Sequence, residues 1–375
     1  MRTGLIWHEK TMWHDAGNHF GPRSHWIEPA SPPENVETKR RIKNLLDVSG
    51  LTRQLDVIEP RAASKDDLLL VHTQPYVERI EQISKAGGGN IALKATTHIG
   101  EGGFDIACLS AGAAITAVEN VVRGKISNAY ALSRPPGHHA RSDEGMGFCV
   151  FNNAAIATRY SQKALGVGRV AIVDIDAHHG NGAQEIFWKD PHVLCISIHQ
   201  DHGFPLSVGP VEEQGEAAGL GYTINIPLPP GSSEGAYLAA FDRIVGPALD
   251  SFQPDLIIVP CGLDAGFMDP TARMMLSSES FRKIIGKLID IARSHCAGRI
   301  VFVHEGGYHI QTVPFHALAV METLSSIRTE VDDPFLAAVN AACSAPATSL
   351  QLDFVAKAEA AMQAHQPLAM ALPNG

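Results

Sequence analysis

Cysteine is scarce in the 375-residue chain, and the cysteines that are present are not paired in sequence. The six cysteines form no Cys-x-x-Cys motif, so nothing indicates a disulfide framework or a cysteine-based metal site. Most of them lie in apolar runs. We therefore expect reduced thiols in the core of a cytoplasmic protein.

Long apolar runs are lacking as well. The first ten residues include Arg2, Glu9 and Lys10, and they leave no apolar region long enough for a secretory signal peptide. Further along the chain we expect no membrane span, because no stretch approaches the ~20 apolar residues that a span requires. The sequence thus predicts a cytoplasmic protein with no membrane partner.

The chain has no surplus of basic residues. It contains 30 Lys and Arg against 40 Asp and Glu, for a formal net charge of −10. A nucleic-acid-binding protein needs a basic surface, so we expect no nucleic-acid partner. Hydrophobic residues make up 45% of the chain and charged residues 19%, a balance that allows a sizeable core and argues against global disorder.

Segments with strand and helix patterns alternate from about residue 129 to 325. This alternation predicts an α/β fold with a central parallel sheet flanked by helices on both faces. Helices are expected at about 36–48, 64–85, 104–122, 153–165, 235–251, 278–295 and 313–325. Residues 95–104, which are rich in glycine, are expected to form a surface loop.

No linker, repeat or change in composition divides the chain, so we expect a single catalytic domain over 1–375. It would carry an irregular N-terminal loop at about 11–36 and an Ala-rich C-terminal tail at about 333–375. Two tryptophans in the N-terminal loop favour an interface there, and hence a homo-oligomer.

One stretch combines a buried strand with metal-binding side chains. Residues 170–173 are a β-branched and apolar run, and Asp174, Asp176 and His178 follow it at a spacing of two. In an extended backbone, residues at that spacing point to the same side. Parallel sheets bind ligands at the carboxyl ends of their strands, and carboxylates buried there without a cation would cost several kcal/mol each. The alternative is an exposed Asp-rich turn.

A further carboxylate, Asp264, follows a later buried strand. Zinc takes oxygen and nitrogen ligands, and a catalytic zinc keeps one position open beyond three protein ligands. Asp176, His178 and Asp264 would supply such a set. Ala265 and Gly266 follow, so no carboxylate stands two residues further on to balance a second ion. We expect one catalytic Zn²⁺ rather than the binuclear manganese site of a ureohydrolase.

Two adjacent histidines, His138 and His139, lie on a Pro-Pro-Gly loop that cannot be helical. Beside a metal-activated water they become a general base and a general acid. Asp174 would orient one imidazole and Asn181, a weaker partner, the other. Tyr308 follows two glycines after another strand, where its phenol would donate to an oxyanion. An exposed histidine pair and a structural tyrosine are the alternatives.

Two other interpretations use the same residues differently. A catalytically silent binding protein would bind a metal without turnover, although every expected catalytic group is present. A cysteine nucleophile at Cys149, near the histidine pair in sequence, would leave the Asp and His cluster unused.

The chain resembles the zinc-dependent histone deacetylases and their bacterial amidohydrolase relatives. Five motifs carry the resemblance, in the family's order over about residues 60–325: Pro135-Pro-Gly-His-His139, Gly147-Phe-Cys-Val-Phe-Asn-Asn153, Asp174-Ile-Asp-Ala-His-His-Gly-Asn-Gly182, Gly262-Leu-Asp264 and Glu305-Gly-Gly-Tyr308. Several independent motifs in order are far more specific than any one of them. The long N-terminal loop and Asn181, where some branches have Asp, resemble the class II branch.

The resemblance implies the arginase/deacetylase fold and a role for each matching residue. The matching residues are Asp176, His178 and Asp264 for the zinc ligands, His138 and His139 for proton transfer, Asp174 and Asn181 behind these histidines, and Tyr308 for polarising the scissile carbonyl. The residues that match the walls of a narrow substrate tunnel are Gly147, Phe148 and Phe204, and Thr271 matches a position at its rim. A structural K⁺ bound by Asp174 and Ser197 is also implied.

The implied substrate is an acylated amine in a peptide or a small molecule, such as N-acetyl-lysine. The close alternative is a deacetylase of acetylpolyamines, whose members tend to carry an acidic gate a few residues after the last zinc ligand. Thr271 occupies the gate position here, which argues against a polyamine deacetylase, and it also differs from the leucine that is common at this position in lysine deacetylases. Asp269 and Glu101 are expected near the rim, and other small amides or esters remain open as substrates.

Overall fold

The computed structural model of the protein describes residues 2–18, 26–92, 97–206, 208–343 and 346–369. The strands are β1 (Thr3–Ile6), β2 (Asp56–Ile58), β3 (Gly88–Asn90), β4 (His98–Gly100), β5 (Asn128–Ala131), β6 (Val170–Asp174), β7 (Val193–Gln200), β8 (Thr223–Leu228), β9 (Leu256–Cys261) and β10 (Ile300–His304). The α-helices are α1 (Val36–Val48), α2 (Lys65–Leu68), α3 (Gln74–Lys85), α4 (Gly103–Val122), α5 (Asn153–Leu165), α6 (Asn181–Phe187), α7 (Glu234–Ala240), α8 (Gly246–Phe252), α9 (Ser278–His295), α10 (Val313–Ser325), α11 (Leu336–Cys343) and α12 (Ser349–Ala369). Short 3-10 helices cover Glu9–Trp13, Leu51–Gln54 and Ala217–Gly219, and a π-helix covers Phe241–Val245.

Eight strands form one sheet in the order β2-β1-β5-β10-β9-β6-β7-β8, and all neighbours are parallel. Successive side chains of a strand point to opposite faces of the sheet, and here they enter different apolar clusters. Along β10, Ile300 and Phe302 belong to one cluster, whereas Val301 and Val303 belong to another. Both faces are therefore apolar and covered by helices. The predicted α/β architecture is confirmed.

The strand order brings the site-bearing strands side by side. β6 pairs with β9, and β9 pairs with β10, so their carboxyl ends lie at one edge of the sheet. The segments that follow these strands carry the predicted metal ligands and Tyr308. The loop after β5, the other neighbour of β10, carries the histidine pair.

Most predicted helices are present within about one residue of their predicted bounds. Two regions differ. The region predicted at 64–85 contains two helices, α2 and α3, because Thr73 caps a new helix and Pro75 lies in its first turn. The region predicted at 235–251 is α7 and α8 with the π-helix between them.

Residues 98–100, predicted as part of a surface loop, form β4, which pairs antiparallel with β3. Gly88 of β3 has a φ of 93°, and a Cβ atom there would collide with the backbone of β4. Glycine therefore permits this close pairing, and the same glycines hide the strand pattern in the sequence. Residues 93–96, between the two strands, lie outside the described residues.

Helix α4 has the length and hydropathy of a membrane span, with a mean hydropathy of 1.4 over its most apolar window. The expectation that no stretch approaches such a span is wrong for this helix. Buried residues make up 72% of that window, and α4 packs against α5 and β5. Core helices of this kind are apolar on most of their surface because protein surrounds them.

The predicted C-terminal tail contains two helices, and the second packs on the main core. α12 contacts β8 and α7, and Val355, Ala358 and Met362 are buried in the same cluster as the sheet. Residues 370–375 lie outside the described residues.

The N-terminal loop, of which residues 11–18 and 26–36 are described, presents two aromatic side chains to solvent. Trp13 is 65% exposed and Trp26 is 85% exposed. Exposed aromatic side chains are common at interfaces, and a homo-oligomer formed through this loop stays a prediction.

Candidate active site

Asp176, His178 and Asp264 converge at the carboxyl edge of the sheet, and we refer to them as the catalytic donor set. One potential ligand atom of each lies within 4.8 Å of the other two. His178 Nδ1 lies 3.0 Å from Asp176 Oδ1 and 2.9 Å from Asp264 Oδ2. Both carboxylates are fully buried. The structure thus brings together the three residues that the sequence predicts as metal ligands.

The charges of the catalytic donor set call for a cation. Burial, together with the negative charge of Asp176, raises the pKa of Asp264 to about 7. Burial lowers the pKa of His178, but the charges of Asp264 and Asp176 outweigh it and raise this pKa well above its usual range. A proton on His178 therefore sits between two carboxylates, where a divalent cation would balance both.

Backbone N–H groups hold the two carboxylates in place. His178 N and Gly306 N donate to the two oxygens of Asp176, at 2.8 and 2.9 Å. Ala177 N donates to Asp264 Oδ1 at 2.7 Å. A Cβ atom at position 306 would collide with the carboxylates of Asp176 and Asp264, so this position requires glycine. Each carboxylate oxygen retains a lone pair for a metal.

The histidine pair lies beside the catalytic donor set, and each ring has its own partner. His138 Nδ1 lies 3.0 Å from Asp174 Oδ2, and His139 Nδ1 lies 2.7 Å from Asn181 Oδ1. The two ring centres are 3.9 Å apart, and His138 Nε2 lies 3.8 Å from Asp176 Oδ2. The orienting partners occupy the places that the sequence predicts for them.

The two imidazoles differ in charge because their partners differ. Burial lowers the pKa of His138, but the charges of Asp176 and Asp174 outweigh it and raise this pKa to about 10. Burial and the charges of His138 and His178 lower the pKa of His139 well below its usual range. A charged and a neutral imidazole side by side can stabilise negative charge and accept a proton, respectively.

Tyr308 is buried beside the same donor set, and burial raises the pKa of its phenol well above the usual range. The hydroxyl is therefore a neutral hydrogen-bond donor. Its backbone N–H donates to Asp269 Oδ2 at 2.7 Å. A fixed neutral donor of this kind suits an oxyanion that develops during attack on a carbonyl.

Three of the predicted tunnel residues, Gly147, Phe148 and Phe204, lie beside the histidine pair or Tyr308. The ring of Phe148 lies 6.0 Å from that of Tyr308, and the ring of Phe204 lies 5.1 Å from that of His139, centre to centre. At Gly147, φ is 54° and a Cβ atom would collide with the His139 ring. Phe204 remains partly exposed, which places it toward the mouth of the site.

Comparison with proteins of known family shows to which family the chain belongs. The family profile described as "Histone deacetylase domain" matches residues 32–324. A "Histone deacetylase-like amidohydrolase" of Pseudomonas aeruginosa is 48% identical over 338 residues, which cover 89% of this chain and 88% of the relative. The chain belongs to the histone deacetylase family.

Two further similarities agree with this membership. A "Probable deacetylase" of Archaeoglobus fulgidus is 38% identical over 328 residues, which cover 87% of each chain. The crystal structure of the HDA15 HD domain matches with a TM-score of 0.85 at 29% identity, covering 98% of this chain and 97% of that one. The arginase/deacetylase fold expected from the sequence is confirmed. This histone deacetylase-like chain has the fold of an enzyme family, and it has metal-ligand and proton-transfer side chains in its candidate active site.

In this deacetylase-family protein, the observed position of Asp269 differs from the predicted one. The sequence places it near the rim, but the residue is only 8% exposed. Its Oδ1 accepts hydrogen bonds from Thr271 N and Thr271 Oγ1, at 2.9 and 2.7 Å, and its Oδ2 accepts one from Tyr308 N. Asp269 thus fixes the backbone of Tyr308. Glu101, the other acid expected near the rim, is exposed in the turn before α4.

Asp174 and Ser197, the predicted K⁺ ligands of the deacetylase, are direct partners in the register of β6 and β7. Ser197 Oγ accepts a hydrogen bond from Gly180 N at 3.4 Å and lies 3.0 Å from His199 Nδ1. The two residues are therefore brought together. A potassium ion between them stays a prediction.

Glu305 receives no role from the sequence, yet its carboxylate holds the histidine loop of the deacetylase. Its Oε2 accepts hydrogen bonds from Gly137 N at 2.6 Å and His138 N at 3.1 Å. The side chain is fully buried, and burial raises its pKa to about 7. The segment that carries Tyr308 is thereby tied to the loop that carries His138. A signal exists in the sequence: an acidic residue directly after an apolar strand.

A buried ionic cluster, Glu34, Lys39 and Arg134, lies against Tyr308. Arg134 donates two parallel hydrogen bonds to Glu34, at 2.8 and 2.7 Å. Lys39 Nζ lies 3.3 Å from Glu34 Oε1 and 5.1 Å from the centre of the Tyr308 ring. Burial raises the pKa of Glu34, but the charges of Arg134 and Lys39 outweigh it and keep this pKa below its usual range. The sequence gives no signal for this cluster, because 100 residues separate Glu34 from Arg134.

Replacing Arg134 with methionine is expected to lower the free energy of unfolding by about 3–5 kcal/mol, because Glu34 would keep a buried charge with one cation fewer. The measurement is the urea midpoint of unfolding. Arg2 provides a matched control, since it makes the same two-bond contact with Asp56, at 2.9 Å each, with a side chain that is 70% exposed. Arg2→Met should leave the midpoint within error of the wild type. Equal midpoints for the two variants would contradict a stabilising role for the buried pair.

Proposed function

We propose that this protein is a zinc-dependent amidohydrolase that removes acetyl or other short acyl groups from acylated amines such as N-acetyl-lysine. The observation that carries the proposal is the convergence of the catalytic donor set, the histidine pair and Tyr308 at one edge of the sheet. Amide hydrolysis needs activation of carbonyl and water, proton transfer, and a donor to the oxyanion. Family membership supports the deacetylase activity.

The catalytic donor set fits a single zinc ion. Two carboxylate oxygens and one imidazole nitrogen are ligands that zinc accepts, and three protein ligands leave a position open for chemistry. When bound, zinc supplies a Lewis acid that polarises a carbonyl and makes water a better nucleophile. Ala265 and Gly266 provide no carboxylate for a second ion of the ureohydrolase type, which supports one ion over two.

The histidine pair divides the proton chemistry. His139 is neutral beside Asn181, so it accepts the proton of the attacking water and then protonates the leaving amine. His138 is charged because Asp174 and Asp176 stabilise its proton, and this charge stabilises the negative oxygen that forms. Tyr308 donates its hydroxyl to the same oxygen, while Asp269 keeps its backbone in place.

A lysine-type amide suits the tunnel better than an acetylpolyamine does. The rings of Phe148 and Phe204 offer flat apolar surfaces to an aliphatic chain. Asp269 is the one acid among residues 265–271. Its Oδ1 accepts hydrogen bonds from Thr271, and its Oδ2 accepts one from Tyr308 N. This segment therefore offers no free carboxylate to the second amine of a polyamine.

The zinc-loaded protein is expected to show a kcat/KM at least about tenfold higher for an acetyl-lysine peptide than for N-acetylputrescine, because the polyamine would lack an ion pair worth about 1.4 kcal/mol. The unacetylated peptide is the control for acetate release. A preference for acetylputrescine would contradict the lysine-type substrate, and Glu101→Gln and Asp269→Asn would then test for an acidic gate. Turnover of neither compound by zinc-loaded protein would point to another small amide.

Several wider properties belong to the same proposal. We infer a class II-type deacetylase of the cytoplasm, with a structural K⁺ at Asp174 and Ser197 and with neither nucleic acid nor membrane as a partner. The acidic net charge of −10 supports the absence of a nucleic-acid partner. The exposed Trp13 and Trp26 support a homo-oligomer, which the mass from light scattering would test.

A further inference from the structure

A second cluster of potential metal ligands adjoins the catalytic donor set. His138, Cys149 and Glu305, referred to here as the thiol cluster, are all buried, and one potential ligand atom of each lies within 4.8 Å of the other two. The thiol cluster shares His138 with the proton-transfer pair and shares no residue with the catalytic donor set. Its nitrogen, sulfur and oxygen atoms are ligand types of zinc and related ions.

The thiol cluster has lone pairs without partners. Glu305 Oε2 accepts two backbone hydrogen bonds, but the buried Oε1 has no hydrogen-bond partner within the described part of the chain. A buried carboxylate oxygen without a partner is costly, so it indicates a missing ligand. Cys149 Sγ accepts a long hydrogen bond from His139 N at 3.4 Å and donates its S–H to Gly147 O at 3.5 Å. Loss of the S–H proton would free a further sulfur lone pair for a metal.

The surroundings carry an excess of negative charge. Four buried carboxylates surround the histidine pair: Asp174, Asp176, Asp264 and Glu305. One divalent ion on the catalytic donor set balances two of them, and the proposed K⁺ balances Asp174. Glu305 and a Cys149 thiolate then supply the two negative charges that a second divalent ion would balance. The buried lysine of the ionic cluster is already paired with a glutamate. A second divalent cation is therefore electrostatically acceptable in this region.

We infer that the thiol cluster is a second, inhibitory site for a thiophilic divalent ion such as Zn²⁺ or Co²⁺. Cys149 Sγ, one ring nitrogen of His138 and the Glu305 carboxylate bind the ion, and water completes its shell. Cys149 loses its S–H proton and the bound ring nitrogen of His138 loses its N–H proton, both to solvent, as the two metal–ligand bonds form, and no electron is transferred. Ligand bonds of about 2.0–2.3 Å place neighbouring donors roughly 3.5 Å apart, so small rotations of the Cys149 and Glu305 side chains complete the site.

An ion in the thiol cluster removes His138 from catalysis. Its Nδ1 lies 3.0 Å from Asp174 Oδ2, so a metal on Nδ1 breaks that contact. Its Nε2 faces Asp176 at 3.8 Å, so a metal on Nε2 displaces the proton held there. Either way a ring nitrogen of His138 is bound to the metal and is no longer available to the substrate or to the attacking water. This effect on turnover rests on the proposed function, whereas the binding of the ion does not.

Titration with cobalt distinguishes the two sites because only the thiol cluster contains sulfur. A thiolate-to-cobalt charge-transfer band in the near ultraviolet therefore reports the thiol cluster alone. Metal-free protein, titrated with Co²⁺ in equilibrium dialysis, is expected to bind a first equivalent without this band and a second equivalent with it. Absence of the band after the second equivalent overturns the proposal.

Three variants test which side chains bind the second ion and give rise to the band. Cys149→Ser should abolish it and weaken the second ion about tenfold or more, with the first equivalent unaffected. Cys195→Ser removes another buried free thiol, outside the cluster, and should keep the band. Glu305→Gln can still accept the two backbone hydrogen bonds and should weaken the second ion without abolishing the band. A band that persists in Cys149→Ser would place the sulfur ligand elsewhere and contradict the site.

Turnover provides an independent test of inhibition. The zinc-loaded wild type should lose activity as free Zn²⁺ rises beyond the level that fills the catalytic donor set, and Cys149→Ser should retain its activity at the same free Zn²⁺. Equal inhibition of both proteins would rule out an inhibitory role for the thiol cluster. If the wild type hydrolyses no acyl amine, the proposed function fails, and the cobalt titration still decides whether the second site exists.

Discussion

Tyr308→Phe is expected to lower kcat for an acetyl-lysine peptide by about 100- to 1000-fold, because the oxyanion would lose a donor worth roughly 3–4 kcal/mol. Burial keeps the phenol neutral, so the wild-type residue donates a hydrogen bond and does not act as a base. The ring packs beside Phe148 and Lys39, so the loss of one oxygen leaves its position intact. KM and zinc content should stay near the wild-type values, since Tyr308 is not a metal ligand.

Tyr237→Phe is a matched control for this experiment. Tyr237 is also buried, and its hydroxyl has no hydrogen-bond partner among the described residues. The same atom is therefore removed from a second buried tyrosine, with no donor role to lose, and kcat should remain near that of the wild type. If Tyr308→Phe were as active as Tyr237→Phe, Tyr308 would have no part in the mechanism.

Asp264→Ala is expected to remove zinc from the protein and with it all measurable turnover. Only Asp176 and His178 would remain of the catalytic donor set, and two ligands do not hold zinc in a site of this kind. We expect at least about a 100-fold loss of zinc affinity, since even the loss of a residue that merely supports a ligand costs 10- to 100-fold. Metal analysis after dialysis against metal-free buffer measures the effect directly.

Asp269→Asn separates the loss of a ligand from the loss of a nearby charge. Asp269 is a buried carboxylate of the same segment, but it accepts hydrogen bonds from Tyr308 and Thr271. This variant should keep its zinc and lose part of its kcat through Tyr308. Stoichiometric zinc in Asp264→Ala would overturn the ligand assignment. Two tightly bound ions without a thiolate band in the wild type would favour a binuclear site.

The sequence predicted those parts of the site that depend on local chain geometry. Asp174, Asp176 and His178 converge because alternate residues at the end of a strand point to one side, and that pattern is visible in the sequence. Asp264 and Tyr308 could be added because each follows a buried strand, and parallel strands end at one edge of the sheet. The structure places all of these side chains together.

The supporting contacts could not be predicted because they depend on segments distant in the chain. The spacing of Asp269 to Asp264 predicted a residue near the rim, but Thr271 N and Tyr308 N donate hydrogen bonds to its carboxylate and hold it in a buried position. Glu305 and Gly137 are 168 residues apart, and no sequence pattern joins an acid to a remote backbone N–H group. Pairing of β3 with β4 was missed for a related reason, since glycine allows the approach without any apolar alternation.

The position of β10 in the sheet has a consequence for folding of the chain during its synthesis on the ribosome. β10 comes late in the chain, yet it lies between β5 and β9. Until residues 300–304 leave the exit tunnel, the nascent sheet has two open edges at its centre, and open edges favour pairing with other chains. A chain stopped before residue 300 thus lacks both the Tyr308 segment and the strand that joins the two halves, and we expect such fragments to aggregate rather than to fold.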